Sequence, residues 1–310
     1  MTDQTAKAWS LVDSIRRDPL RALLFCAIVG TLTYFFGIVL LFADQKRSVF
    51  GWAWEAWNPE TNYEHAKLIP LVVLALLWYD RKRIFNATIA SSRLGWIFLG
   101  AGLLLFLIGA RTVQARFALT ALPFILFGIV LYLYGKQIAR ITLFPIAFLF
   151  FMVPLNFVTQ ATVRLQFIET AIASAVCNLI GIHVETVGTM VNSADNAFRF
   201  QIDEGCSGIH SLMAIAMLAA IYGHFAFDRL WKKILIFGAA LLFAIIGNAG
   251  RLVSIFAAAK FFGQDLAGGP YHAISGYLSF PFALLAMVLF GMLLKVRHQA
   301  FQAVAVASRQ

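Results

Sequence analysis

The sequence predicts an all-α polytopic membrane protein with about eight transmembrane helices, one outward amphipathic helix and a short β-hairpin. Hydrophobic residues make up 61% of the chain and charged residues 13%, whereas a soluble domain is about half apolar and about a quarter charged. The apolar residues are grouped in long uncharged runs. Because a backbone inside lipid must satisfy its own hydrogen bonds, each run is expected to form a helix.

The runs predicted to span the membrane are residues 22–42, 68–79, 94–110, 117–134, 138–155, 207–223, 234–250 and 274–294. The first run is too long for a signal peptide and lacks a convincing cleavage site, so we expect it to be retained. Pro145 and Pro154 predict that the fifth span is kinked or broken. No repeat or linker separates the runs, which predicts a single integral membrane domain over residues 1–310.

The insertion between the fifth and sixth spans, residues 156–205, has a different pattern. Between 159 and 180, apolar residues recur at helical spacing with Arg164 and Glu169 on the opposite side, which is typical of a helix lying in the membrane interface. Gly181 is expected to end this helix. The segments 184–191 and 197–203 then predict two strands of a hairpin around 192–196.

The distribution of basic residues predicts the orientation. The chain carries 25 Lys and Arg against 15 Asp and Glu, a net charge of +10. If the N-terminus is cytoplasmic, 16 of the basic but only 5 of the acidic residues fall in cytoplasmic segments, in agreement with the positive-inside rule. The segments 1–21 and 295–310 are then cytoplasmic, and the insertion faces outward. The basic residues therefore indicate contact with membrane lipids, and nucleic acid is not an expected partner.

Three residues suited to acyl transfer fall at the outward ends of the last three spans. Cys206 starts the sixth span, Arg251 ends the seventh, and His272 precedes the eighth. A thiol attacks a carbonyl as the thiolate, which a helix N-terminus and a nearby cation both favour. His272 would move the proton to the leaving amine, and Arg251 would bind the carbonyl oxygen or the developing oxyanion.

Each of these residues also has a simpler interpretation. A cysteine beside a transmembrane helix often only packs, an arginine at a helix end often reaches lipid headgroups, and a loop histidine is often structural. Asn248 shares a helix face with Arg251 and would either orient it or bond to a neighbouring helix. His210 lies one helical turn after Cys206 and could take the place of His272, or bind a metal together with the thiol. Zinc needs at least three ligands, and no further ligand has a recognisable spacing, so no metal and no cofactor is expected.

The ordered set of motifs resembles the exosortase/archaeosortase family of prokaryotic membrane cysteine transpeptidases. The resemblance rests on Glu204-Gly205-Cys206-Ser207-Gly208-Ile209, Asn248-Ala249-Gly250-Arg251 and His272 before the last span. Residues 57–65 and Arg81 are similar to the family's early loop and second span. The resemblance covers roughly residues 57–295 and is strongest between 200 and 290.

This resemblance implies that Cys206, Arg251 and His272 form a catalytic triad, supported by Asn248, Glu204, Ser207 and His210. It implies a protease or transpeptidase of the bacterial cytoplasmic membrane, with its active site on the outer face. The substrates would be exported proteins that end in a PEP-CTERM-like sorting signal: a short motif such as Pro-Glu-Pro, a transmembrane helix and a basic tail. The new C-terminus would form a thioester on Cys206 and pass to an acceptor that the sequence does not identify.

Two other functions are compatible with many spans. A membrane glycan ligase or polymerase of surface polysaccharide export would depend on an acidic residue and on arginines, here Arg251, Arg111, Arg116 or Arg164, and would not need Cys206. A transporter would place ionisable groups in mid-membrane, where these spans carry almost none. The requirement for the cysteine therefore separates the transpeptidase from the glycan ligase.

Overall fold

The computed structural model describes residues 19–40, 47–154, 156–202 and 208–307, and the chain divides into two compact units, Met1–Pro154 and Leu155–Gln310. Both units are mostly helical, as predicted. The helices of the first unit are α1 (Pro19–Leu32, continued by a π-helical segment, Thr33–Ile38), α2 (Val49–Ala56), α3 (Ile69–Tyr79), α4 (Arg81–Phe85), α5 (Gly95–Arg111), α6 (Ala115–Leu133) and α7 (Lys136–Phe148). Those of the second unit are α8 (Asn156–Leu179), α9 (Ile209–Ala226), α10 (Leu230–Phe262), α11 (Gln264–Gly268) and α12 (Pro270–Ala307).

Among the described residues, four helices are long and apolar enough to cross a membrane: α6, α9, α10 and the part of α12 up to Lys295. Two shorter apolar helices, Cys26–Ile38 and Gly95–Arg111, coincide with predicted spans. The predicted spans 68–79 and 138–155 contain α-helices of 11 and 13 residues, and a helix needs about 20 residues to cross a hydrocarbon core of about 30 Å. The chain is thus a multi-pass membrane protein, while the total of eight spans stays a prediction.

The break predicted in the fifth span is present. α7 ends at Phe148, a 3₁₀ turn covers Leu149–Met152, and Val153 is extended with φ −86° and ψ 113°. The residue before a proline is driven out of helical geometry by the proline ring, so Pro154 accounts for the extended conformation of Val153.

α5 and α6 pack closely through glycines. Gly95, Gly102 and Gly109 follow one another at intervals of seven residues, and a Cβ on any of them would lie 2.5–2.7 Å from an atom of α6. Gly128 of α6 makes the reciprocal contact, 2.5 Å from the backbone nitrogen of Leu99. Small residues permit this approach of two helices in lipid, where van der Waals packing replaces the hydrophobic effect as the attraction between helices.

Hydrogen bonds in the first unit join loops that the predicted topology places on one side. The Thr88 amide donates to Gln137 Oε1 at 3.0 Å, which links the two loops predicted to be cytoplasmic. Trp57 Nε1 donates to the Met152 carbonyl at 2.8 Å, which links a segment predicted to face outward with the outward end of the predicted fifth span. Both contacts agree with the predicted alternation of the loops, and the assignment of one side to the cytoplasm stays a prediction.

The predicted two-stranded hairpin is wrong in its strand pattern. Where one strand was predicted over 184–191, the chain forms β1 (Val184–Val187) and β2 (Met190–Ser193), which extends into the predicted turn. β1 and β2 pair antiparallel, and β3 (Arg199–Gln201) pairs with β2. The result is a three-stranded sheet of order β1-β2-β3. Gly188 has φ +68° and makes the turn, a conformation that glycine adopts without steric cost.

The predicted amphipathic helix is present as α8, followed by Gly181 with φ +88°, but its faces are reversed. The apolar residues Val163, Phe167, Ile168, Ile172 and Val176 are exposed, whereas Thr162, Gln166, Glu169, Thr170 and Ser174 are buried. A helix lying in the membrane interface would expose Glu169 to water. Glu169 is buried, so the expected exposure of this side chain is wrong. In a membrane protein the apolar stripe is free to face lipid, and polar groups turn inward to find partners.

Candidate active site

Arg251 lies inside a helix, which corrects its predicted position at a helix end, whereas His272 lies at the start of a helix and not in a loop before it. α10 continues for eleven residues beyond Arg251, to Phe262. Its 33 residues extend about 50 Å at 1.5 Å per residue, more than the hydrocarbon core of about 30 Å, so part of α10 extends beyond it. His272 lies in the first turn of α12, directly after Pro270, a residue that the first helical position tolerates because its amide needs no helical partner.

α10 and α12 bring Arg251 against His272 and Ser275. Arg251 Nη2 is 3.2 Å from His272 Nε2 and donates to the His272 carbonyl at 3.3 Å, while Nε donates to Ser275 Oγ at 3.2 Å. Ser275 is buried and donates to the same carbonyl at 2.9 Å. Gly276 leaves room for this arrangement, since a Cβ there would lie 3.4 Å from Arg251 Nη2. The guanidinium is therefore fixed at two of its nitrogens.

The contact with Arg251 defines the protonation of the His272 ring. A guanidinium only donates hydrogen bonds, so His272 Nε2 must accept. That role requires a neutral imidazole with its proton on Nδ1. In this arrangement the one lone pair of the neutral ring is engaged by Arg251 Nη2.

Asn248 links α10 to α8 through a buried hydrogen bond. Its Nδ2 donates to Glu169 Oε2 at 2.6 Å, and the two side chains are 3% and 1% exposed. Of the two roles predicted for Asn248, the structure shows the bond to a neighbouring helix. Burial raises the pKa of Glu169 to about 8, against the smaller opposing effects of the Asn248 hydrogen bond and the charge of Arg251. Glu169 is therefore mainly a neutral acid at pH 7.

Gly208 is the described residue nearest in sequence to Cys206, and it packs against Asn248. Cys206, Glu204 and Ser207 lie outside the described residues. Gly208 has φ +63°, and a Cβ on it would lie 2.7 Å from Cγ of Asn248. A side chain at this position would be strained and would clash, so glycine is required there. α9 begins at Ile209, two residues later than the predicted span.

The two candidate histidines have different surroundings. His210 lies in the first turn of α9 and is exposed. His272 is partly buried and in direct contact with Arg251. The geometry therefore favours His272 as the histidine of the site.

Glu169 and Ser275 are residues of this cluster that sequence analysis did not select as site residues. Arg164 is the one basic side chain among the polar residues of α8, whereas helices that bind membrane surfaces are rich in Lys and Arg on the polar face. A polar face made of Thr, Gln, Ser and a single Glu was the available signal that this face is buried.

Comparison with known protein families gives a match over most of the chain. Residues 54–289, most of the chain, match the family described as transmembrane exosortase (Exosortase_EpsH). The matched region includes Arg251, His272, Asn248, Glu169 and the cysteine motif. No curated protein and no solved structure matches the chain significantly. The family has a general role in processing sorting signals, as transpeptidases or proteases. The chain therefore belongs to the transmembrane exosortase family.

Proposed function

We propose that this protein is a cysteine transpeptidase or endopeptidase that cuts the C-terminal sorting signal of exported proteins at the outer face of the bacterial cytoplasmic membrane. The contact of Arg251 with a neutral His272 is the observation that carries the proposal. Asn248, on the same helix face as Arg251, packs against Gly208, which follows Cys206 by two residues. Two residues of extended chain span at most about 7 Å, and this short separation supports a site in which the Cys206 thiol acts together with Arg251 and His272.

In the proposed reaction, His272 takes the proton of the Cys206 thiol, and the sulfur attacks the carbonyl carbon of the scissile peptide. Arg251 donates hydrogen bonds to the oxyanion of the tetrahedral intermediate. Cleavage of the C–N bond leaves a thioester on Cys206, and His272 returns its proton to the leaving amine. An acceptor nucleophile or water then attacks the thioester, and the thiol regains its proton.

The Arg251–His272 contact gives this reaction an ordered start. In the free protein the Nε2 lone pair of His272 accepts from Arg251, so Nε2 is not available as a base. A substrate carbonyl placed beside the guanidinium would compete for the same donor. Binding of the substrate would thus free His272 at the moment when Arg251 engages the carbonyl oxygen.

The proposed substrates are exported proteins with a Pro-Glu-Pro-type motif, a transmembrane helix and a basic tail. A protein anchored by its own helix is cut most readily just outside the lipid, and the triad is proposed to lie at that level. Membrane lipids surround the enzyme and the transmembrane helix of its substrate. The acceptor is a nucleophile on the outer side of the membrane.

Co-expression with a tagged substrate tests the proposal. An exported protein of the same organism that carries such a signal is expected to lose its transmembrane helix and tail, with the new C-terminus near the motif. The masses of the tagged product with and without the enzyme give the measurement. A set of such substrates that all remain full-length beside the folded enzyme would contradict the proposed function.

Single replacements of the two histidines separate their roles. We expect His272→Ala to lower the processing rate by about 10²- to 10⁴-fold, the usual contribution of a positioned general acid–base, and His210→Ala to stay near the wild-type rate. The rates of both variants are compared at equal amounts of enzyme in the membrane. Loss of activity in His210→Ala with full activity in His272→Ala would replace His272 by His210 in the triad.

A further inference from the structure

The polar face of α8 carries an ionisable side chain, Glu169, to which the proposed reaction gives no role. Glu169 is 1% exposed, and its Oε2 accepts the 2.6 Å hydrogen bond from Asn248 Nδ2. Thr170 beside it is 0% exposed, and its hydroxyl has no hydrogen-bond partner among the described residues. Burying polar groups costs free energy, and an apolar residue would pack on α10 without that cost. The hydrogen bond with Asn248 is therefore needed to offset part of the cost of burying the Glu169 carboxyl group.

The hydrogen bond from Asn248 to Glu169 fixes the orientation of an amide that has two other neighbours. On one side, Gly208 packs so closely on Asn248 that a Cβ would lie within 3.0 Å of its Cβ, Cγ and Nδ2. On the other side, Arg251 follows one helical turn later on the same face of α10. Rotation of the Asn248 amide would therefore disturb its close packing on Gly208 at the start of α9.

We propose that Glu169 is a positioning residue of the active site, which holds the Asn248 side chain between Gly208, at the start of α9, and Arg251. This inference rests on the proposed function. Glu169 acts through Asn248 and is not expected to touch the substrate.

The neutral form of Glu169 is the form that fits this role. Its carbonyl oxygen accepts from Asn248 Nδ2, and glutamine at position 169 would offer an oxygen of the same kind. Arg251 on α10 is the charged group that acts on the carboxyl. On β1 and just before it, on the other element packed against α8, Glu185 and His183 are exposed. Ionisation would place a charge in a buried site, which costs more than the neutral hydrogen bond.

The pH dependence of stability follows from the raised pKa. The ordinary pKa of a glutamate side chain is 4.5, and the pKa of Glu169 in the folded protein is about 8. Between these values the folded protein holds a proton that the unfolded chain has released, so the contribution of Glu169 to stability falls as pH rises from about 4.5 to about 8. This part of the pH dependence is absent when residue 169 is glutamine.

Three variants in the full-length protein test the inference: Glu169→Gln, Glu169→Ala and Ser174→Ala. Ser174 is the control, because it lies on the same buried face of α8 but accepts its hydrogen bond from Thr186 at 2.9 Å. At pH 7 we expect kcat of Glu169→Ala to fall by about 10- to 100-fold, as misplacement of catalytic groups does, with KM nearly unchanged. Glu169→Gln is expected to keep the wild-type rate and to lose less activity than the wild type above pH 8.

The unfolding temperature in detergent, measured from pH 5 to pH 9, gives a readout that does not depend on the reaction. The wild type is expected to lose more stability across this range than Glu169→Gln. Equal slopes for the two proteins would overturn the inference even if no substrate is processed, as would equal losses of activity in Glu169→Ala and Ser174→Ala. A correct slope with no processing of any substrate would instead count against the proposed function alone.

Discussion

Replacing Cys206 by alanine is expected to abolish processing of a tagged substrate, while Cys177→Ala stays near the wild type. Loss of the nucleophile removes the covalent step, and removal of a triad member typically lowers kcat by about 10⁴-fold or more. Cys177 in α8 is 0% exposed, and burial raises its pKa to about 11. It therefore stays a thiol at neutral pH and lacks the reactivity of a thiolate. The measurement is the yield of processed substrate in membranes that contain equal amounts of each variant.

The two remaining cysteines make this comparison well controlled. Cys26 lies in α1, is exposed and belongs to the first unit, so Cys26→Ala serves as a second control for thiol loss. Wild-type processing by Cys206→Ala would exclude the transpeptidase mechanism. It would assign the cleavage to a group other than the Cys206 thiol.

Replacement of Arg251 is expected to cause the second large loss of processing activity. We expect Arg251→Ala to lower kcat by about 10²- to 10³-fold, the usual cost of losing one oxyanion donor. Arg251→Lys is expected to recover only part of this loss. Lysine has no planar fork, so it cannot bond to His272 and Ser275 with the geometry of the present contacts at 3.2 Å.

Two comparisons isolate this effect. Arg199→Ala removes an exposed arginine of β3 from the same unit, and we expect it to keep the wild-type rate. An arginine that only reached lipid headgroups would be replaced by lysine without loss. Full activity in Arg251→Lys would therefore assign Arg251 to the membrane surface and remove it from the triad.

Helical content and the order of the chemical motifs were accessible from the sequence because they depend on local composition. A run of apolar residues forms a helix in lipid whatever its neighbours are, since the backbone has no other partner for its hydrogen bonds. Pro154 likewise ends the fifth apolar run by local sterics. The boundaries of the longest helices were less accessible. α10 passes through Asn248 and Arg251 without interruption, because polar residues end an apolar run without ending a helix.

Composition and motif order alone predict a multi-pass membrane protein whose last helices carry Asn248, Arg251 and His272 in the order of the exosortase family. The packing of the helices in three dimensions is needed to show that α8 turns its polar face inward and that Glu169 contacts Asn248. Helical spacing shows which residues share a face but not which face is covered. That choice depends on what packs against the helix, and in a membrane both an apolar and a polar face can find a favourable environment.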